Sequence, residues 1–181
     1  MKDRLIFFGV LALVGVAIAV WGVFQFRSDT AANDNSAGIT YLGRGEYEQA
    51  AAAFTASIEK KPTTVSYTNR GQAYLELGKL NQAEADFTSA LQLDARNYRA
   101  LLHRGKVRSR QGNLPGALAD FQQAAAIMPD SVEIQVQLGT ALRDTGDLVG
   151  AKAAFDAGLK LAKNDPDWTR LINNLLGAMG H

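Results

Sequence analysis

Phenylalanine recurs at a nearly constant interval through most of this 181-residue chain, and an alanine and a glycine recur with it. Each phenylalanine stands four residues after the alanine and nine after the glycine, and successive copies are 33, 34 and 34 residues apart. The three sets are Gly45, Gly78, Gly112 and Gly146; Ala50, Ala83, Ala117 and Ala151; and Phe54, Phe87, Phe121 and Phe155. Such a period is typical of stacked helix–turn–helix units, none of which can bury its apolar face alone. It predicts an all-α solenoid that binds other chains rather than one that does chemistry.

The composition excludes several kinds of site. The 19 basic and 18 acidic side chains balance, so the chain has no general bias toward polyanions. It has no cysteine and only two histidines, His103 and His181, which excludes disulfides and the usual metal clusters. No serine stands in a nucleophile elbow, and the glycines are isolated rather than grouped in a phosphate-binding loop. We therefore expect no catalytic residue, no cofactor, no metal ion and no enzymatic activity.

The segment Leu5–Phe24 contains twenty residues without a charged side chain. As a helix it would be about 30 Å long, which matches the hydrocarbon core of a bilayer. The alternative is a cleaved signal peptide, but the apolar core is longer than such peptides need, and the cleavage-site match at Thr30–Ala32 is weak. No lipoprotein cysteine follows. The pattern favours an uncleaved, single-pass membrane anchor.

Orientation follows from the flanking charges. Lys2 and Arg4 precede the apolar segment and only Arg27 lies close behind it. The positive-inside rule then places the N-terminus in the cytoplasm and the rest of the chain on the other side, the periplasm in a bacterium. Residues 1–24 are thus predicted to be the cytoplasmic N-terminus and anchor.

Residues 25–36 are rich in Asp, Asn and Ser, whose side chains compete with helical backbone hydrogen bonds. We interpret this stretch as a polar tether. The first helix of the body is expected to begin late, with Asn35 or Ser36 as its N-cap.

The body resembles the tetratricopeptide repeat family. Besides the columns above, each unit has an early glycine seven residues before the turn glycine; these are Gly38, Gly71, Gly105 and Gly139. An aromatic residue three positions later is present as Tyr41 and Tyr74, but Arg108 and Leu142 replace it in the last two units. Prolines at 62 and 129 follow second helices. The resemblance covers roughly residues 31–165 and implies four repeats, at about 31–63, 64–97, 98–131 and 132–165, within a repeat domain of residues 37–165.

These columns carry physical expectations of their own. Glycine inside a helix costs about 1 kcal/mol relative to alanine, so the early glycines indicate that a neighbouring helix presses against each of them. The turn glycines suit a helix C-cap with positive φ. The four phenylalanines are expected to fill the core between helices.

Two charged residues vary together between the repeats. Arg70 and Arg104 precede the early glycines of repeats two and three, and Asp86 and Asp120 precede the phenylalanines of the same repeats. In repeats one and four both charges are absent. This pattern predicts an ion pair between the two helices of a repeat, with partner binding as the alternative.

Residues 166–181 follow the last repeat. One helical face of this segment is apolar, formed by Trp168, Leu171, Ile172, Leu175 and Leu176. We interpret it as a helix that caps the last repeat; a truncated fifth repeat is the alternative.

A basic stretch, residues 95–119, contains no acidic residue. The family resemblance implies a concave groove lined by one face of the first helices. The corresponding residues here are Thr68, Gln72, Leu75, Glu76, Arg99, Leu102, Lys106, Ser109, Arg110, Val136, Thr140 and Arg143. Arg99, Lys106 and Arg110 are expected to face the groove without a carboxylate beside them, which suits an acidic peptide or a C-terminal carboxylate. The alternative is a solvated helix face with a chance charge bias.

The carboxylate clamp of chaperone-binding members of the family is incomplete here. In the better register Asn69 matches and Arg99 nearly matches, but Asn35, Ile39 and His103 replace lysine, asparagine and arginine. Chaperone tails of that type are therefore not expected. Nor is nucleic acid, because the body is neutral and offers no aromatic stacking platform.

Taken together, the sequence predicts a membrane-tethered scaffold that holds a partner peptide or helix in its groove, in the assembly of a cell-envelope complex. One alternative is a structural component that self-associates through a small-xxx-small spacing at Gly15 and Ala19. Another is a subunit of an envelope enzyme complex that binds a small ligand. An import receptor with cytosolic repeats is a topological variant of the main hypothesis.

Overall fold

The computed structural model describes residues 20–23, 25 and 30–179, and within these residues every regular element is a helix. The first, α1, covers residues 30–43. The others are α2 (Tyr47–Lys60), α3 (Thr64–Glu76), α4 (Leu80–Leu93), α5 (Tyr98–Arg110), α6 (Leu114–Ile127), α7 (Val132–Asp144), α8 (Leu148–Leu161) and α9 (Pro166–Gly177). The predicted all-α solenoid of helical hairpins is confirmed for this part of the chain.

The chain forms two compact units, Met1–Pro62 and Thr63–His181. In the first, the described helices α1 and α2 form one hairpin. In the second, α3 packs on α4, α5 on α6 and α7 on α8, while α4 contacts α5 and α6 contacts α7. Helix α9 lies against α7 and α8.

Within the second unit the first helices of successive hairpins touch one another. Helix α5 contacts both α3 and α7, and α7 contacts α9. In the described residues no such contact joins the second helices α4, α6 and α8. The first helices therefore form the inner side of the stack.

The turn glycines end the first helix of each hairpin in the left-handed conformation. Their φ angles are 75°, 71°, 81° and 92° at Gly45, Gly78, Gly112 and Gly146. After Gly78, for example, the backbone N–H of Lys79 donates to the carbonyl of Tyr74 at 2.8 Å, which closes a Schellman motif. The predicted C-caps are confirmed, and they reverse the chain identically in each hairpin.

The early glycines and the phenylalanines meet in the core of each hairpin. Phe54, Phe87, Phe121 and Phe155 are at most 1% exposed. A Cβ atom added at Gly38, Gly71, Gly105 or Gly139 would lie 2.5–2.7 Å from the ring of the phenylalanine in the same hairpin. The phenylalanine ring therefore occupies the space that a side chain at the glycine would need, as predicted.

Both predicted ion pairs join the two helices of a hairpin. Arg70 donates to the Asp86 carboxylate at 2.8 and 2.7 Å, and Arg104 donates to Asp120 at 3.0 and 2.7 Å. Arg108, which replaces the repeat's aromatic residue, adds a third bond to Asp120 at 2.9 Å. Asp120 is 1% exposed, so these guanidinium groups compensate a buried charge.

Helix α9 covers the end of the α7–α8 hairpin. Ile172 is fully buried, and Trp168, Leu175 and Leu176 pack with it against a cluster that includes Phe155. Leu171 was expected on the same apolar face but is 43% exposed.

The tether prediction is wrong for residues 30–36, which are helical. Ser36 does not cap this helix, because its hydroxyl donates to the carbonyl of Ala32 within it. Tertiary contacts stabilise this polar segment. The Ala31 carbonyl accepts from the Ser57 hydroxyl at 2.9 Å, and Asp34 pairs with Lys60 at 2.6 Å.

The predicted anchor, Leu5–Phe24, lies outside the described residues except for residues 20–23, which are helical. Among the residues that are described, no helix has the length and apolar character needed to cross a bilayer.

Candidate partner-binding face

Each first helix of the second unit carries one accessible stripe on the inner side of the stack. Its residues are spaced by four, three and four positions and recur every 34 residues. We call them the inner stripe: Val65, Asn69, Gln72 and Glu76 on α3; Arg99, His103, Lys106 and Arg110 on α5; and Glu133, Gln137, Thr140 and Asp144 on α7. All of them are exposed or partly exposed.

Half of the predicted groove residues lie in this stripe: Gln72, Glu76, Arg99, Lys106, Arg110 and Thr140. Ser109 and Arg143 border it and are partly exposed. Thr68, Leu75, Leu102 and Val136 are only 4–5% exposed, so the prediction is wrong in giving them to a ligand.

The reason is the rotation of the first helices. Leu75 packs with Ala100 and Val107 of α5, and Leu102 packs with Ile134 of α7. Part of the predicted face therefore lies in the buried contacts between neighbouring first helices and not on their accessible side.

The groove residues inferred from the sequence do not include Val65, Asn69, His103, Glu133 or Gln137, although the carboxylate-clamp comparison uses Asn69 and His103. A signal for them existed in the 34-residue period, because Glu133 and Gln137 are the equivalents of Arg99 and His103. Assigning these residues to the groove requires knowing which stripe of each helix faces inward, and that depends on the rotation of the helix about its own axis.

The inner stripe is not simply basic. Lys106 Nζ lies 2.5 Å from Glu133 Oε1, so the expectation that no carboxylate accompanies the three cations is wrong for Lys106. Arg99 donates only to the Tyr98 hydroxyl at 3.3 Å, and Arg110 forms no ion pair within the described residues. Uncompensated positive charge is thus confined to the two ends of the α5 stripe.

His103 lies between these cations as a neutral side chain. Its ring stacks on Phe87 with the centroids 5.5 Å apart, and its Nδ1 is buried without a hydrogen-bond partner. Burial, followed by the charges of Lys106 and Arg99, lowers the pKa of His103 to about 4, although Glu133 opposes this shift. The α5 stripe therefore carries three positive charges near pH 7 rather than four.

A shallow cavity of about 320 Å³ opens between α5 and α7, lined by Lys106, Ser109, Arg110 and Gln137. All four side chains can donate hydrogen bonds, and none of the described carboxylates lines the cavity. Elsewhere in the described residues, no group of three or more His, Asp or Glu side chains is arranged to hold a metal ion.

Two models of the tetratricopeptide repeat family match this chain, over residues 68–132 and 109–175. Human sperm-associated antigen 1 is 32% identical over 151 residues; the match covers 83% of this chain but only 16% of that protein. The mouse protein of that name is 31% identical over 100 residues, 55% of this chain and 11% of its own length. The chain therefore spans a small part of these relatives.

Solved structures share the fold. The first tetratricopeptide domain of Spaghetti (RPAP3), bound to the HSP90 peptide SRMEEVD, is 27% identical with a TM-score of 0.64, covering 65% of this chain and 94% of that one. The Arabidopsis OM64 domain is 26% identical with the same score, covering 65% of this chain and 98% of its own. Pseudomonas aeruginosa pilF reaches 0.71 at 21% identity, over 86% and 78% of the two chains. Through its glycine turns, its phenylalanine core and these matches, the chain belongs to the tetratricopeptide repeat family over residues 68–175.

Proposed function

We propose that this chain is a non-enzymatic, membrane-tethered scaffold that binds an extended segment of a partner protein along the inner stripe, and so assembles or localises a cell-envelope complex. The observation that carries the proposal is the accessible, mainly polar stripe on α3, α5 and α7, bordered by buried contacts between neighbouring first helices. Helices that contact one another hold such groups at fixed spacing, which reduces the ordering cost of binding.

The chemistry of the stripe favours a partner with acidic residues. Arg99 and Arg110 lack an ion-pair partner in the described residues, and charged groups of this kind steer and orient an oppositely charged chain. The related domain of RPAP3 is bound to a peptide with three acidic residues, SRMEEVD. Neutral His103 stands where the clamp for such chaperone tails needs arginine, so the partner of this chain differs in the anchoring of its carboxylates.

The tether in this proposal is Leu5–Phe24, and its support is the uncharged twenty-residue sequence. With Lys2 and Arg4 inside, the repeats face the extracytoplasmic side. Confinement to a surface raises the effective concentration of a partner that is held at the same membrane.

Site-specific photo-cross-linking in cells of the source organism tests the proposal. A photoreactive amino acid at exposed Glu76, in the inner stripe on α3, should capture one defined protein, whereas the same group at exposed Gln123 on α6 should not. Combined Arg99→Gln, Lys106→Gln and Arg110→Gln substitutions should abolish the capture without changing helicity. Equal capture from Glu76 and Gln123, or capture that survives the triple substitution, would refute binding along the stripe. A reporter fused to the C-terminus tests the orientation.

A further inference from the structure

The cavity between α5 and α7 has the polar groups of a site for one carboxylate. We propose that Lys106, Ser109, Arg110 and Gln137 bind a single Asp or Glu side chain of the partner segment, and that Glu133 is an internal carboxylate that competes for Lys106 in the free chain. This inference rests on the proposed function and names the chemistry of one subsite within it.

The donors come from two helices. Lys106 and Arg110 are four residues apart on α5, so they lie on one face, one turn from each other. Ser109 lies between them in sequence, and Gln137 faces them from α7. Arg110 has no ion pair in the described residues, and the guanidinium is suited to bidentate contact with a carboxylate. An acidic side chain would thus meet two cations and two neutral donors.

A carboxylate of the protein already occupies the edge of this site. Glu133 lies one helical turn before Gln137, and its Oε1 is 2.5 Å from Lys106 Nζ. The side chain of Glu133 is 42% exposed and that of Lys106 is 24% exposed. Because an ion pair this accessible is weak, a second carboxylate can replace Glu133 at Lys106 while Glu133 turns into water.

This exchange makes the site selective. A neutral segment forms no ion pair in exchange for displacing Glu133, whereas an acidic segment forms ion pairs with both Lys106 and Arg110. Glu133 also repels an acidic segment that fails to reach the cavity, as expected of a group that opposes the wrong partner.

The test uses the purified full-length chain and a displayed library of random twelve-residue peptides. Peptides that the chain enriches should share an Asp or Glu at one position. Replacing that Asp or Glu of the peptide by Asn or Gln should weaken its binding to the wild-type chain at least ten-fold. The same replacement should weaken binding to the Arg110→Gln variant less than two-fold. Fluorescence anisotropy of the labelled peptides measures both affinities. Arg96→Gln is the matched control: Arg96 is an exposed cation of the same basic stretch that does not line the cavity, so its loss should leave the ten-fold difference.

Glu133→Gln should lower the Kd of the acidic peptides three- to ten-fold and leave the Kd of their amide versions unchanged. Unchanged or weaker binding of the acidic peptides to this variant would overturn the competition.

The failures are distinguishable. Enriched peptides that cross-link at Glu76 but share no acidic position would overturn the carboxylate subsite and leave the proposed function standing. If no enriched peptide depends on Arg99, Lys106 or Arg110, the proposed function fails and the subsite with it.

Discussion

Gly105→Ala tests the packing that defines each hairpin. The added Cβ would lie 2.5, 2.8 and 2.9 Å from three ring carbons of Phe121, well inside van der Waals contact. Phe121 is 1% exposed and belongs to the buried core, so its ring can move away only by displacing neighbouring side chains. In an open helical site the same change would stabilise the chain by about 1 kcal/mol.

The expected magnitude follows from these opposing effects. Overpacking of a close-packed core costs about 1–3 kcal/mol, and the contact here is severe enough to place the cost at the upper end. After the gain in helix propensity is subtracted, the free energy of unfolding should fall by about 2 kcal/mol. Combining Gly105→Ala with Phe121→Leu should recover part of this loss, with a coupling energy of about 1 kcal/mol or more.

Urea unfolding followed by circular dichroism at 222 nm gives the four free energies of this double-mutant cycle. Gly177→Ala is the matched control, because no atom lies within 4 Å of its added Cβ and its φ is not positive; it should not destabilise the chain. If Gly105→Ala is as stable as the parent, or if its effect and that of Phe121→Leu are additive, the ring does not fill the space beside this glycine.

Three further predictions concern stability. Phe87→Ala should lower the free energy of unfolding by about 3–5 kcal/mol, as for other buried aromatic residues, and a loss below about 1 kcal/mol in urea unfolding would contradict the burial. Asp120→Asn should cost about 3 kcal/mol or more, because it leaves Arg104 without its carboxylate and Arg108 with Glu84 alone; Asp86→Asn, which affects one arginine, should cost less, and the reverse order in chemical denaturation would refute the argument. His103, with a folded-state pKa near 4, stays neutral while the unfolded chain takes up a proton below about 6.5, so stability is lost as the pH falls from 6.5 to 4, by up to about 3 kcal/mol. Denaturation curves at pH 7 and 4 should therefore differ more for the wild type than for His103→Gln, and equal differences would disprove this role.

The packing within a hairpin was predictable from the sequence because its partners keep a fixed separation. Each early glycine precedes its phenylalanine by sixteen residues. The same separation of sixteen residues joins arginine to aspartate in the pairs Arg70–Asp86 and Arg104–Asp120. A repeated spacing reports one repeated contact. Residues that vary together, such as these charges, then identify the contact as an ion pair.

The contacts between hairpins were harder to predict. Lys106 and Glu133 are 27 residues apart, one repeat less two helical turns, and this pairing depends on how far one first helix is rotated against the next. The same rotation decides that Leu102 is buried while Lys106 is accessible. For residues 30–36, local polarity indicated a tether, but tertiary bonds from Ser57 and Lys60 maintain a helix there.

The direct contacts among α3, α5 and α7, with none among α4, α6 and α8 in the described residues, have a mechanical consequence. When the second unit bends, the second helices α4, α6 and α8 can move apart or together, because they do not touch one another. The first helices α3, α5 and α7 touch and therefore stay at nearly constant separation. A guest chain lying on the touching helices would therefore keep its register while the second unit deforms elastically.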